Sequence, residues 1–138
     1  MDLFSPLTLG ALEMRNRIVM APMTRSRADE NDAPTVMNAQ YYGQRASAGL
    51  IITEGVYPNI DGKGYVRTPG IVTDEQIAGW RRVADAVHSK GGKIVMQIMH
   101  CGRVASAHNK PAHARTLAPS AIRWPPASRK SSRSDLPR

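Results

Sequence analysis

The chain has 138 residues, 41% of them apolar, a formal net charge of +8 and one Cys. The length suits about one domain, the apolar fraction excludes wholesale disorder, and one Cys excludes an internal disulfide framework and points to a reducing compartment. No apolar run approaches the ~20 residues of a membrane span, and Met1-Asp2-Leu3-Phe4-Ser5-Pro6 lacks the basic and apolar regions of a secretory signal, so a cytoplasmic protein with no membrane partner is expected.

In chain order, Leu7-Thr8-Leu9 and Leu12-Glu13-Met14 flank Gly10-Ala11 and read as a small hairpin, with Gly10 free to take a positive φ. Arg17 to Ala21 is a short apolar run ended by Pro22 and predicts a strand. After a polar loop from Arg25 to Pro34, a helix is predicted from about Thr35 to Ser47, stopped by Gly49. Leu50 to Thr53 predicts a second strand, bounded by Glu54-Gly55. The clearest helix follows a Gly- and Pro-rich loop. Thr73 is its N-cap, Gln76 completes a capping box, and Asp74 and Glu75 face the positive end of the dipole. Ile77, Trp80, Ala84 and Val87 make its apolar stripe, and Lys90-Gly91-Gly92 its end. Lys93 to Ile98 predicts a third strand.

The charge is uneven along this order. Residues 1–102 carry 11 basic and 10 acidic side chains, and residues 103–138 carry 8 and 1. From Arg123 onward, Pro and Ser recur among the basic residues without apolar periodicity, which predicts a basic disordered tail over 123–138. Basic residues around Trp124 raise the alternative of a nucleic-acid-binding module, but the charge is confined to this end and no reader motif accompanies it, so no nucleic-acid partner is assigned.

Short strands apolar on both faces, alternating with helices in units of roughly thirty residues, predict an α/β fold with parallel strands. It is either an open doubly wound sheet or the start of a (β/α)8 barrel. In both, ligands sit beyond the carboxyl ends of the strands. Those ends read Ala21-Pro22-Met23-Thr24, Thr53-Glu54-Gly55 and Gln97-Ile98-Met99-His100. They offer a hydroxyl, a carboxylate, a close backbone approach, an amide and an imidazole. No turn carries a Gly-x-Gly-x-x-Gly fingerprint or a phosphate loop, which disfavours a Rossmann site and favours a barrel site. Each residue has a plainer alternative: Thr24 as a turn residue, Gln97 as a partner for neighbouring backbone, Glu54 as half of an ion pair with an Arg. His88, His100, His108 and His113 lack metal-ligand spacing, so no metal is assigned. Cys101 reads as a small residue after a strand rather than a nucleophile, because no orienting third group accompanies it.

At these strand ends the sequence resembles the old yellow enzyme family of flavin-dependent ene-reductases. The resemblance rests on Leu3 to Leu7, Asn16 to Arg25, Gln40-Tyr41-Tyr42, Leu50 to Gly55, Gly64-Tyr65, Trp80 to Val83, Gln97 to Arg103 and Ala118 to Ile122. It implies the N-terminal portion of an FMN-binding (β/α)8 barrel, about three βα units after a short hairpin, over 1–122. It also implies FMN as cofactor, NADPH or NADH as reductant, and hydride transfer to an alkene activated by a carbonyl or nitro group. Residue by residue, Pro22, Met23 and Thr24 match the segment lining the isoalloxazine, Gly55 the small residue whose backbone meets it, and Gln97 the amide reading its pyrimidine edge. Tyr65 matches an aromatic of the substrate pocket, and Met99 stands where several members carry a pocket-shaping Trp. A barrel takes about 250 residues. The family's His/His or His/Asn pair, Tyr proton donor and phosphate site have no counterpart here, so no catalytic residue is assigned. The abrupt end of the resemblance after Ile122 makes the tail resemble translation out of frame. The isolated chain is expected to expose sheet edges, to hold FMN weakly and not to turn over, with a non-functional remnant as the further alternative.

Overall fold

A φ of 58° at Gly10 turns Leu7–Leu9 (β1) back onto Leu12–Met14 (β2), with Leu9 opposite Leu12 in an antiparallel pair. This is the expected hairpin. The computed structural model describes residues 2–122, so the tail predicted over 123–138 lies outside the described residues.

Beyond the hairpin, Val19–Met20 (β3), Leu50–Val56 (β4) and Ile94–Ile98 (β5) form a parallel sheet in the order β3-β4-β5. Val36–Gly43 (α1) connects the first pair and Asp74–His88 (α2) the second. Two successive βα crossovers between neighbouring strands build a (β/α) array, as expected for the opening of a barrel. The described residues contain no closed barrel: β3 and β5 each keep one unpaired edge. Val19, Val95 and Ile98 are exposed on these outer strands.

The core lies between helices and sheet. Tyr42 and Ala46 meet Ile51 and Val56 of β4 and Trp80, Val83 and Val87 of α2. Trp80 Nε1 donates to the Gly70 carbonyl at 3.0 Å, which satisfies its polar edge inside the core. Both helices start with reciprocal capping boxes, Thr35 with Asn38 and Thr73 with Gln76.

Three boundaries and one apolar stripe differ from the sequence expectation. The strand expected over Arg17–Ala21 is two residues long, because Ile18 N–H is taken by the Asn16 side chain and the ladder contains only Val19↔Leu50 and Met20↔Ile51. The first helix ends at Gly43 rather than Ser47. Arg45 N–H turns to Tyr42 O, and Lys90 Nζ caps the Gly43 carbonyl at 2.9 Å. Gly43 is also where α1 approaches α2: a Cβ there would lie 3.2 Å from Ala86 O. β4 runs past Thr53 to Val56 and takes in Glu54 and Gly55. On α2, Ile77 is exposed while Gly79 and Val83 are buried, because Gly79 lies directly against Pro34.

Candidate functional site

The site forms where β4 departs from a regular ladder. Ile52 pairs with Val95, but the next pair is Gly55 with Gln97, so Thr53 and Glu54 together oppose Met96 alone. This is a β-bulge, which re-aims the residues beyond it. Thr53 Oγ accepts the Gln97 backbone N–H at 3.0 Å and donates to the Glu54 carbonyl at 2.8 Å. The bulge thus hands Gln97 a side-chain partner where the ladder is interrupted.

Glu54 is fully buried. Its Oε2 accepts the Arg25 backbone N–H at 3.0 Å and its Oε1 the Tyr42 hydroxyl at 3.3 Å, while Tyr42 Oη accepts the Glu54 N–H at 2.9 Å. Burial pushes the Glu54 carboxyl above the ordinary range, against the pull of the Arg25 N–H and the Tyr42 hydroxyl. Burial likewise raises the Tyr42 hydroxyl. Glu54 therefore binds the Arg25 backbone rather than forming the ion pair that was its plainer alternative. Because Arg25 directly follows Thr24, this bond draws the segment Pro22-Met23-Thr24 to β4 at Gly55. All three residues are solvent-exposed there.

Gly55 is buried beneath Met99: a Cβ on it would fall 2.4 Å from Met99 Cε and 2.7 Å from its Sδ. Met99 N–H donates to Val56 O at 2.9 Å and prolongs the β4–β5 pairing. Gln97 is half-buried, and its carboxamide has no hydrogen-bond partner among the described residues. Tyr65 is 50% exposed on the loop after β4. That loop is pinned to the β5 end, since Gly64 leaves no room for a Cβ against Cys101 and its carbonyl accepts Asn109 Nδ2 at 2.9 Å. Thr24, Gly55, Gln97, Met99 and Tyr65 are therefore carried by segments tied to the carboxyl ends of the three parallel strands.

No group of His, Cys, Asp or Glu among the described residues is arranged to hold a metal. His100 packs on Gly62, and its Nδ1 accepts the Gly102 N–H at 3.0 Å. Burial raises the Cys101 thiol against the charge of Lys110, which disfavours the reactive thiolate. No described helix is long and apolar enough to cross a membrane.

Sequence reasoning placed Thr53 at a strand end and Tyr42 in the resemblance but gave neither a role, and it missed a second buried polar cluster. Tyr57 donates to Asp32, which also pairs with Lys63, and Gln76 donates to Tyr57. No local motif marks that cluster, because its hydrogen-bonded pairs lie 19 to 31 residues apart in sequence.

An exposed hydroxyl, a backbone at a strand end and an unpartnered carboxamide on adjacent strands form a donor and acceptor set that fits the planar, hydrogen-bonding edge of a flavin. A hairpin followed by successive parallel βα units with such groups at the strand ends defines the opening section of a (β/α)8 barrel whose site lies at the C-terminal face. The chain belongs to the NADH:flavin oxidoreductase / NADH oxidase family, whose family model matches residues 2–136. It is 43% identical over 120 residues to a probable flavin mononucleotide-dependent alkene reductase of Leishmania infantum, covering 87% of this chain and 33% of the relative. Morphinone reductase, solved in complex with tetrahydroNAD, superposes with a TM-score of 0.82 at 51% identity, over 87% of this chain and 33% of that one. The old yellow enzyme homologue of Zymomonas mobilis does so with a TM-score of 0.82 at 43% identity, over 88% and 34%. The chain thus spans about a third of the length of the proteins it matches.

Proposed function

We propose that this chain supplies the flavin-edge third of an FMN-dependent NAD(P)H oxidoreductase of the ene-reductase type. The observation that carries the reading is the pairing of Gly55 with Gln97 beside the Thr24 segment, at the carboxyl ends of three parallel strands. When bound, FMN would supply two-electron chemistry, accepting hydride from NADPH or NADH and delivering it to an alkene activated by a carbonyl or nitro group. In this reading Thr24 offers its hydroxyl to a flavin carbonyl, where a fixed donor favours negative charge. Gln97 reads the pyrimidine edge with both halves of its carboxamide. Pro22 and Met23 line the ring, Gly55 brings backbone close, and Tyr65 and Met99 shape the substrate pocket. Residues 1–122 constitute the partial barrel domain, and the free Cys101 suits a cytoplasmic location. In this reading no residue of 1–122 is assigned as the proton donor or as the phosphate site.

Titrating FMN into the 138-residue chain and following flavin absorbance and fluorescence tests the reading. The expected result is a saturable spectral change that Thr24→Ala and Gln97→Ala weaken, lost on desalting and without NADPH oxidation. No spectral change at any FMN concentration would overturn the site. A yellow chromophore retained after desalting, with NADPH turnover, would overturn its incompleteness.

A further inference from the structure

The β4 bulge places one side-chain bond on each neighbouring strand end, and nothing in the proposed chemistry uses either residue. We propose that Thr53 and Glu54 are positioning residues that hold Thr24, Gly55 and Gln97 as one unit, Thr53 through the Gln97 N–H and Glu54 through the Arg25 N–H. The inference deepens the flavin reading and rests on it for what the unit is for.

Side chains alternate along a strand, so a one-residue slip moves every later side chain to the other face. Without the extra residue, Glu54 would stand opposite Gln97 and Gly55 would pass beyond it. With it, the ladder resumes at Gly55↔Gln97. A bulge leaves backbone groups without ladder partners, and side chains meet that need here. Tyr42 Oη accepts the Glu54 N–H and Thr53 Oγ accepts the Gln97 N–H. A buried carboxylate is a costly core residue unless its oxygens are bonded. The ion pairs among the described residues, Lys63–Asp32 and Arg115–Asp61, do not include Glu54. Its two oxygens instead join the segment after β3 to α1, through Arg25 N–H and the Tyr42 hydroxyl. A residue needed only to fill this space would not reach two elements at once.

The test is residue-resolved amide exchange on the full chain without FMN, paired with FMN titration, with the Val83 and Val87 amides as fold controls. Thr53→Val is expected to speed exchange at Gln97, and Glu54→Met, which fills the space without an acceptor oxygen, at Arg25, each by about tenfold for one lost hydrogen bond. The core amides should be unmoved, Thr53→Ser should restore Gln97 protection, and each damaging variant should weaken FMN by about tenfold. If Glu54→Met does not fold, Glu54→Asp keeps the charge, draws the carboxylate back by one methylene and should still speed exchange at Arg25. Unchanged exchange at Arg25 and Gln97, or undiminished FMN affinity despite their release, would overturn the proposal. A wild-type chain that binds no FMN would overturn the reading of the site, and the exchange rates would then decide the positioning role by themselves.

Discussion

The Tyr57 hydroxyl donates to the Asp32 carboxylate at 2.8 Å, joining the end of β4 to the loop before α1 across 25 residues of sequence. Lys63 pairs with the same carboxylate oxygen, and Gln76 Nε2 donates to Tyr57 Oη at 3.1 Å and to Asn31 O at 2.9 Å. Asp32 holds a φ of 58°, a left-handed conformation that Asp tolerates better than most residues. Tyr57→Phe removes one donor and one acceptor from a buried network and leaves Asp32 and Gln76 each short of a partner. The expected loss is roughly 1–3 kcal/mol of unfolding free energy, read from urea midpoints at pH 7. A loss below ~0.5 kcal/mol, the usual range for surface substitutions, would show that the network does not hold these loops together.

Glu54 makes the stability of the chain depend on pH. Burial raises its folded-state pKa above the ordinary value, with the Arg25 N–H and Tyr42 hydroxyl opposing. A carboxyl whose folded pKa is raised binds its proton more tightly in the native state. Its contribution is fully present below the unfolded pKa and is lost as pH rises through the folded one. Wild-type chain is therefore expected to lose stability relative to Glu54→Gln as pH climbs from about 4, near the unfolded value, to neutrality. A stability difference that stays constant across that range sinks the assignment.

Local signals in the sequence locate the elements and miss the connections between them. The Thr73–Gln76 capping box, the turn at Gly10 and the C-terminus at Gly91, with a φ of 69°, depend on residues within four positions of each other, and the structure has all three. The carboxyl ends of β3 and β5 were legible because Pro22 and the end of an apolar run punctuate them, whereas β4 continues through Glu54-Gly55 to Val56. The bulge was not legible, since Thr53 and Glu54 differ from ordinary strand residues only in what they reach, and their partners Gln97 and Arg25 lie 44 and 29 residues away. The early end of α1 was hidden for the same reason. It is set by Ala86 and Lys90 of the neighbouring helical segment, and 44–48 contains no helix-breaking residue.

Gln76 should matter more than the cap it completes. Its Oε1 accepts the Val72 N–H at 2.8 Å and the Thr73 N–H at 3.3 Å, while its Nε2 serves Asn31 and Tyr57. Thr73→Ala removes one N-cap acceptor and is expected to cost ~1 kcal/mol. Gln76→Ala strands groups on three segments and is expected to cost roughly 2–3 kcal/mol. Thermal or urea unfolding of both variants checks the order. Equal losses would mean that Gln76 acts only as a cap.

Two glycines separate a clash that can relax from one that cannot. A Cβ on Gly49 would sit 2.1 Å from the backbone oxygen of Asn16. That backbone cannot yield, because Asn16 Nδ2 donates to Ser47 O at 2.8 Å, its Oδ1 accepts the Ile18 N–H at 3.1 Å, and Gly49 N–H donates to Ile18 O at 2.9 Å. Gly49→Ala must part β3 from β4, and the expected cost reaches or exceeds the roughly 3 kcal/mol upper end of ordinary overpacking. A Cβ on Gly55 meets mainly the end of the flexible Met99 side chain, with Cε at 2.4 Å and Cβ at 3.0 Å. Gly55→Ala is therefore expected to cost about 1 kcal/mol, as Met99 takes another rotamer. Met99→Ala should relieve that clash, so the Gly55–Met99 double-mutant cycle should show an interaction energy of at least ~0.5 kcal/mol. Asn16→Ala leaves the offending backbone oxygen in place and should not rescue Gly49→Ala. Rescue at Asn16, or strict additivity between Gly55 and Met99, would show that the side chains rather than the backbone set the spacing of these strands.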